Sequence, residues 1–311
     1  MKLPALLILA ATAAGAADLR LGIVGTDTSH VIAFTSILND PGHRDYVPGA
    51  RLVAAYKGGS PDLAASRDRV EKYAAELQSK FGVEIVPDIP ALLGKVDAVL
   101  LESVDGRVHL AQFREIARAG KPVFIDKPLA STLEDAREIA RLAAQHGVRW
   151  FSSSALRYSS LLPELKLEGL QGALVWGPAP LEPTHQLDLS WYGIHAAEIL
   201  YTLMGTGCEE VTRTFAPDAE IVTGRWKDGR VAAIRLGRPY SGYGAVVFAG
   251  KEIRPSQKDL YTGYRGLVEQ IVRFFQTMTP PVPEQETLEM FAFMDAAQRS
   301  REAGGAPVKL R

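Results

Sequence analysis

The chain is 311 residues long, with 47% hydrophobic residues, 23% charged residues and a formal net charge of −1. That length exceeds one ordinary core and predicts two domains. The balance of charges excludes a nucleic-acid partner and a like-charged disordered tail, and the single cysteine, Cys208, excludes an internal disulfide and reads as a small hydrophobe at least half buried.

Lys2, an apolar run over 3–14 and the small residues Ala14-Gly15-Ala16-Ala17 ahead of Asp18 have the pattern of a secretory signal peptide, 1–17. The alternative is a buried first helix. The run is too short to span a bilayer, so no membrane insertion is expected after cleavage. No Arg-Arg pair precedes it, so a Sec-type route to the periplasm or the exterior is expected. Such a route threads the chain unfolded and carries no bound nucleotide.

From residue 18, short apolar runs alternate with helical stretches. Strands are predicted at 19–25, 51–56, 83–86, 96–101, 122–126 and 149–153, and helices at 30–38, 61–81, 109–119 and 132–146. Gly82, Gly120 and Gly147 follow helices, where glycine is the usual stop. Strands rich in Val, Ile and Leu between helices predict a parallel sheet covered on both faces, a doubly wound Rossmann domain over 18–153. The second half predicts a helix at 188–204, strands near 220–226, 231–236 and 245–249, and helices at 260–278 and 287–303. The turn Lys227-Asp228-Gly229-Arg230 is hairpin-like. Residues 154–311 are therefore expected to form an α/β domain with a mainly antiparallel sheet and a C-terminal helix and strand.

An ordered set of motifs runs along this frame. Gly22-Ile23-Val24-Gly25 opens a nucleotide-type loop, and His109 follows the fourth strand. Asp126-Lys127-Pro128-Leu129 follows the fifth strand, Arg157-Tyr158 the sixth, and Gly193-Ile194-His195 opens the second domain's helix. With the tail through Phe293-Met294-Asp295, these residues resemble the glucose–fructose oxidoreductase / inositol dehydrogenase / MocA (Gfo/Idh/MocA) family. The resemblance implies NAD- or NADP-dependent hydride transfer on a sugar or polyol, with Lys127 and His195 as proton-transfer groups beside the reacting carbon. It also implies a homo-oligomer.

The departures from the family pattern are specific. The fingerprint Gly-x-Gly-x-x-Gly/Ala reads Gly25-Thr26-Asp27-Thr28-Ser29-His30, with only the first glycine kept. Asp27 stands where backbone should meet the pyrophosphate. A like-charge contact at about 4 Å and an effective dielectric of about 20 costs roughly 4 kcal/mol. Asp27, Thr28 or Ser29 can equally cap the helix that follows. At the second strand's end, Lys57 and Ser60 suit a 2′-phosphate, or form a glycine turn with Ser60 capping a helix that has Pro61 at its first position. Glu102 and Asp105, after the fourth strand, either bind sugar hydroxyls or are solvated.

The acid expected four residues before His195 is Trp191, with Asp188 one turn earlier; Glu198, on the face of His195, can orient the imidazole. Arg157 is either a substrate contact or a structural ion pair. His195 with Glu198 makes only half a metal site, so no metal is expected. Tyr240-Ser241-Gly242-Tyr243-Gly244 and Tyr261-Thr262-Gly263-Tyr264 either stack on sugar rings or anchor loops. Two functions compete. One is a sugar- or polyol-directed enzyme, redox or redox-neutral (a lyase or hydratase on keto-sugars). The other is a carbohydrate-binding protein without cofactor or turnover.

Overall fold

The computed structural model describes residues 18–311, so the expected leader, 1–17, lies outside the described residues. Six strands, β1 (Leu19–Val24), β2 (Ala50–Tyr56), β3 (Glu84–Val86), β4 (Ala98–Leu101), β5 (Val123–Asp126) and β6 (Trp150–Ser153), form a parallel sheet in the order β3-β2-β1-β4-β5-β6. Every residue of β4, β5 and β6 is buried, so they read as unbroken runs rather than alternating patterns. Between the strands run α1 (His30–Asn39), α2 (Ala64–Arg67), α3 (Val70–Phe81), α4 (Ile89–Leu93), α5 (Gly106–Arg118) and α6 (Leu133–His146). The Thr132 hydroxyl accepts from Asp135 N–H at 3.0 Å to start α6, and Gly147, at φ 65°, ends it. The doubly wound expectation holds.

One predicted helix, 61–81, is two. Pro61 lies in a turn and Leu63, not Ser60, is the N-cap of the one-turn α2. The Ser66 hydroxyl accepts from Ser60 N–H at 2.7 Å and donates to Asp27 at 2.6 Å, tying α2 to the first loop rather than to a longer helix.

Beyond β6 the chain forms β7 (Gly172–Pro178), α7 (Gly193–Met204), β8 (Cys208–Phe215), β9 (Ala219–Trp226), β10 (Val231–Gly237), β11 (Gly244–Ala249), β12 (Glu252–Pro255), α8 (Arg265–Thr277), α9 (Glu284–Glu302) and β13 (Val308–Lys309). The second sheet has the order β12-β11-β7-β10-β9-β8-β13, antiparallel except where β7 meets β10. Cys208 is buried, which pushes its thiol up to about 12. Among the described residues no helix is long and apolar enough to cross a membrane.

The packing does not follow the 154–311 boundary. Leu267, Val268, Ile271 and Phe274 of α8 pack with Leu21, Ile23, Phe34 and Phe124 of the first sheet and its helix α1. Phe274 lies 5.1 Å, ring to ring, from Phe151. Phe274→Ala is therefore expected to cost about 3–5 kcal/mol. Denaturant unfolding followed by a probe in the first sheet should show the loss as one transition.

Candidate functional site

Three loops leave the carboxyl ends of β1, β2 and β4, where an open α/β sheet binds its ligands. Here they close on one another. Gly25, at φ +93°, packs so tightly that a Cβ there would lie 2.3 Å from Ser103 Oγ. Gly58 meets the Gly25 backbone in the same way, its virtual Cβ 3.3 Å from Gly25 Cα. The first two amides of the turn are used by the chain itself: Gly25 N–H donates to Tyr56 O at 2.9 Å and Thr26 N–H to Lys57 O at 2.8 Å.

Asp27 locks the closure. One carboxylate oxygen accepts from Val104 N–H at 2.9 Å and the other from the Ser66 hydroxyl at 2.6 Å. Burial raises its pKa, and these hydrogen bonds partly offset the rise. Thr26, Asp27 and Asp105 are all 0% exposed. Arg107 adds a clamp across the loops, pairing with Asp62 at 2.8 Å and Asp105 at 2.7 Å. The expected repulsion from a free charge in the groove is thus corrected: the carboxylate points into the protein, and its effect is closure. Asp27 does not cap α1 either, whose N-cap, Ser29, makes no side-chain capping bond.

A cavity of about 240 Å³ opens between the two sheets. Lys127, Ser154 and His195 line it, with Ser29 and His30 on one side and Tyr192, Tyr240, Tyr243, Tyr261 and Tyr264 as aromatic walls. His195 comes from the first turn of α7, and its Nδ1 lies 2.7 Å from Ser154 Oγ. That hydroxyl already accepts from Leu156 N–H at 3.2 Å, leaving its own proton for Nδ1. The assigned tautomer therefore carries its proton on Nε2. Burial, with the Lys127 charge beside it, holds His195 well below the ordinary imidazole value. Burial also lowers Lys127, against the pull of Asp126 and Glu102, and its Nζ lies 5.5 Å from the Tyr192 ring centre.

Of the residues singled out from sequence, the cavity gathers Lys127, His195 and the four loop tyrosines. The rest serve other ends. Lys57 pairs with Glu71 at 2.7 Å on the surface, and buried Ser60 faces Ser66 rather than a phosphate. Asp105 caps α5 by accepting from Arg107 N–H at 3.0 Å, so it neither binds a sugar nor is solvated. His109 is buried with its ring nitrogens 3.2 Å from Leu129 O and 2.7 Å from Ser103 O, tying two loops together. Arg157 pairs with Glu198 at 2.6 Å and with Glu286. Glu198 thus neutralises Arg157 and accepts from Ser154 N–H at 3.1 Å, and it is Ser154, not Glu198, that holds the imidazole. Trp191 packs against His185 with ring centres 4.8 Å apart and planes tilted by 51°, and Asp188 is taken by Arg213 and Arg301. Glu102 is buried beneath the cavity rather than facing it.

Sequence reasoning missed His30, Ser154 and Tyr192. For His30 the signal was present: a histidine where the fingerprint demands glycine or alanine. Its Nδ1 lies 2.6 Å from Asp126, the last residue of β5.

Two measurements check this geometry. Asp27→Ala strands the buried Val104 amide and is expected to cost about 1–3 kcal/mol in denaturant unfolding. Burial also lowers His109, His185 and His195 below the ordinary value of 6.5. The unfolded chain then binds more protons than the folded one, so stability is full above that value and falls as the pH drops through it. A urea midpoint that declines from about pH 7.5 to about pH 5.5, less steeply in His195→Gln, is the expected result.

The profile of the oxidoreductase family with an NAD-binding Rossmann fold (GFO_IDH_MocA) matches residues 19–154. An inositol 2-dehydrogenase/D-chiro-inositol 3-dehydrogenase of Halalkalibacterium halodurans is 27% identical over 200 residues, 59% of this chain and 56% of that one. A 1,5-anhydro-D-fructose reductase of Ensifer adhaerens is 40% identical over 88 residues, 28% of this chain and 25% of that one. The matched stretch thus spans at most about half of the curated relatives' length. The fold is also that of myo-inositol dehydrogenase from Lactobacillus casei in complex with NAD(H) and myo-inositol, at TM-score 0.75 and 17% identity over 95% of this chain and 97% of that one. Residues 19–154 are thus a Rossmann domain of the Gfo/Idh/MocA oxidoreductase family, and the fold of the described chain as a whole is that of the myo-inositol dehydrogenase.

Proposed function

We propose that this protein acts on a sugar or polyol held between the tyrosines, moving protons through Lys127 and His195, without a nicotinamide nucleotide gripped on the β1 turn. One observation carries the reading. The turn that should cradle a diphosphate has Thr26 and Asp27 fully buried, the amides of Gly25 and Thr26 bonded to Tyr56 and Lys57, and its aspartate bonded to Val104 and Ser66. Residues so engaged do not fit a diphosphate laid against bare backbone.

The cavity is smaller than the roughly 300–1,000 Å³ of sites for drug-sized ligands, and it suits one ring. Aromatic walls with a few polar groups match a sugar's apolar faces and hydroxyl rim. The names of the curated relatives, an inositol dehydrogenase and an anhydrofructose reductase, support the same substrate class. A redox-neutral step fits these groups. Lys127, as the free amine, takes the proton from the carbon beside a keto group, the C–O bond on the next carbon breaks, and the Lys127 ammonium so formed passes that proton to the departing oxygen, which His195 Nε2–H holds by a hydrogen bond. The reverse is hydration, and no electrons leave the substrate. The pattern of residues 1–17 supports placing this activity in the cell envelope.

The second reading is a nicotinamide-dependent sugar oxidoreductase, favoured by the family match over residues 19–154. Calorimetry of the chain with NAD and NADP separates the two: no saturable binding is expected, and micromolar affinity for either would establish the second. Turnover of keto-sugars and glycosides should fall by about a hundredfold or more in Lys127→Ala and in His195→Ala, in kcat rather than KM. Sugar binding without turnover in the wild type would leave a carbohydrate-binding protein.

A further inference from the structure

Beneath the cavity lie three groups that proton transfer through Lys127 and His195 does not use. Glu102 follows β4, Asp126 ends β5 and His30 begins α1, so they sit at the carboxyl ends of adjacent strands and the helix that follows their neighbour. One donor atom from each lies within 4.8 Å of the others. His30 and Asp126 touch at 2.6 Å. Glu102 is 0% exposed, yet neither of its carboxylate oxygens has a hydrogen-bond partner, and Asp126 Oδ1 has none either.

A fully buried carboxylate without a hydrogen-bond partner, beside a second carboxylate and an imidazole, is unusual in a folded interior. A buried carboxylate is tolerated when it is paired, hydrogen-bonded or bound to a metal. Lys127, the nearest ammonium, leaves both Glu102 oxygens without a partner. His30, by contrast, reaches the cavity wall, so the cluster opens toward whatever the cavity holds.

We propose that His30, Glu102 and Asp126 form a binding site for a first-row divalent cation at the floor of the crevice. One imidazole and two carboxylates, with no sulfur donor, suit zinc, manganese, cobalt or ferrous iron rather than a soft ion. Three protein ligands with an open side match the layout of reactive rather than structural metal centres. The ion replaces the His30–Asp126 hydrogen bond and gives the three unpartnered oxygens a common ligand. A hydroxyl or carbonyl oxygen of the cavity ligand takes an open position. The site goes beyond the proton-transfer reading and stands without it.

The competing occupant is a proton shared between the two carboxyl groups, and the test separates them. Untagged protein stripped with chelator is titrated with ZnCl₂, MnCl₂ and CoCl₂ by calorimetry, with cobalt also followed by visible absorption. One equivalent should bind at micromolar affinity or better, weakened about a hundredfold or more in Glu102→Gln and in His30→Gln. Cobalt should give absorption bands that both variants lose. Absence of stoichiometric binding in the wild type overturns the proposal. So does unchanged affinity in a folded variant; if Glu102→Gln fails to fold, His30→Gln decides alone. Failure here leaves the turnover assays of Lys127 and His195 variants untouched.

Discussion

A single buried carboxylate organises the ligand end of the first domain. Asp27 accepts one hydrogen bond from the loop after β4 and one from the helix after β2 while sitting in the turn after β1. Three loops that a dinucleotide would normally hold apart are thereby joined by the protein itself. Gly25 keeps its left-handed backbone, but the close approach it allows is to Ser103 and Gly58. The Arg107 pairs with Asp62 and Asp105 extend the seam outward. The fold has kept the shape of a nucleotide-binding crossover while tying its first loop to the two beside it.

What survives of the ligand end is displaced toward the second domain. There the electrostatics are those of a dry pocket, with a neutral imidazole fixed by a serine and a lysine drawn below its ordinary range by burial. Charges that cluster near it, Arg157 with Glu198 and Glu286, cancel among themselves and support Ser154 rather than the cavity. Ser29, His30, Lys127, Ser154 and His195 supply the cavity's polar side, and most of its remaining wall is phenol rings.

The first domain was legible because its strands are buried on both faces and its helices end at glycines, patterns that one stretch of chain displays by itself. The strands β7, β8 and β12 were not, since β7 is a strand only by virtue of β10 and β11, which arrive much later in sequence. The same limit governs the site. Lys127 and His195 were recognisable from local motifs. Whether Arg157 would face a ligand depended on Glu286, 129 residues further on, and no local pattern reports that pairing. Asp27 departs visibly from the fingerprint, but that its carboxylate turns inward to Val104 and Ser66 depends on loops that no local pattern reports. His30 was readable and overlooked, since an imidazole in a glycine position has to go somewhere, and here it goes to Asp126.

The helix α8 has a consequence for the order in which the molecule can assemble. The face of the first sheet that carries Phe124 and Phe151 is capped by Phe274 and Ile271, from near the far end of the chain. During vectorial emergence, from a ribosome or through a translocation pore, the amino-terminal half presents an incomplete apolar face until residue 277 is free. A fragment ending at Ser153 would therefore expose that face to any neighbour. The two halves are stitched by late helices, α8 on one face of the first sheet and α9 against α6 and β6, and a molecule clipped between them would be prone to self-association.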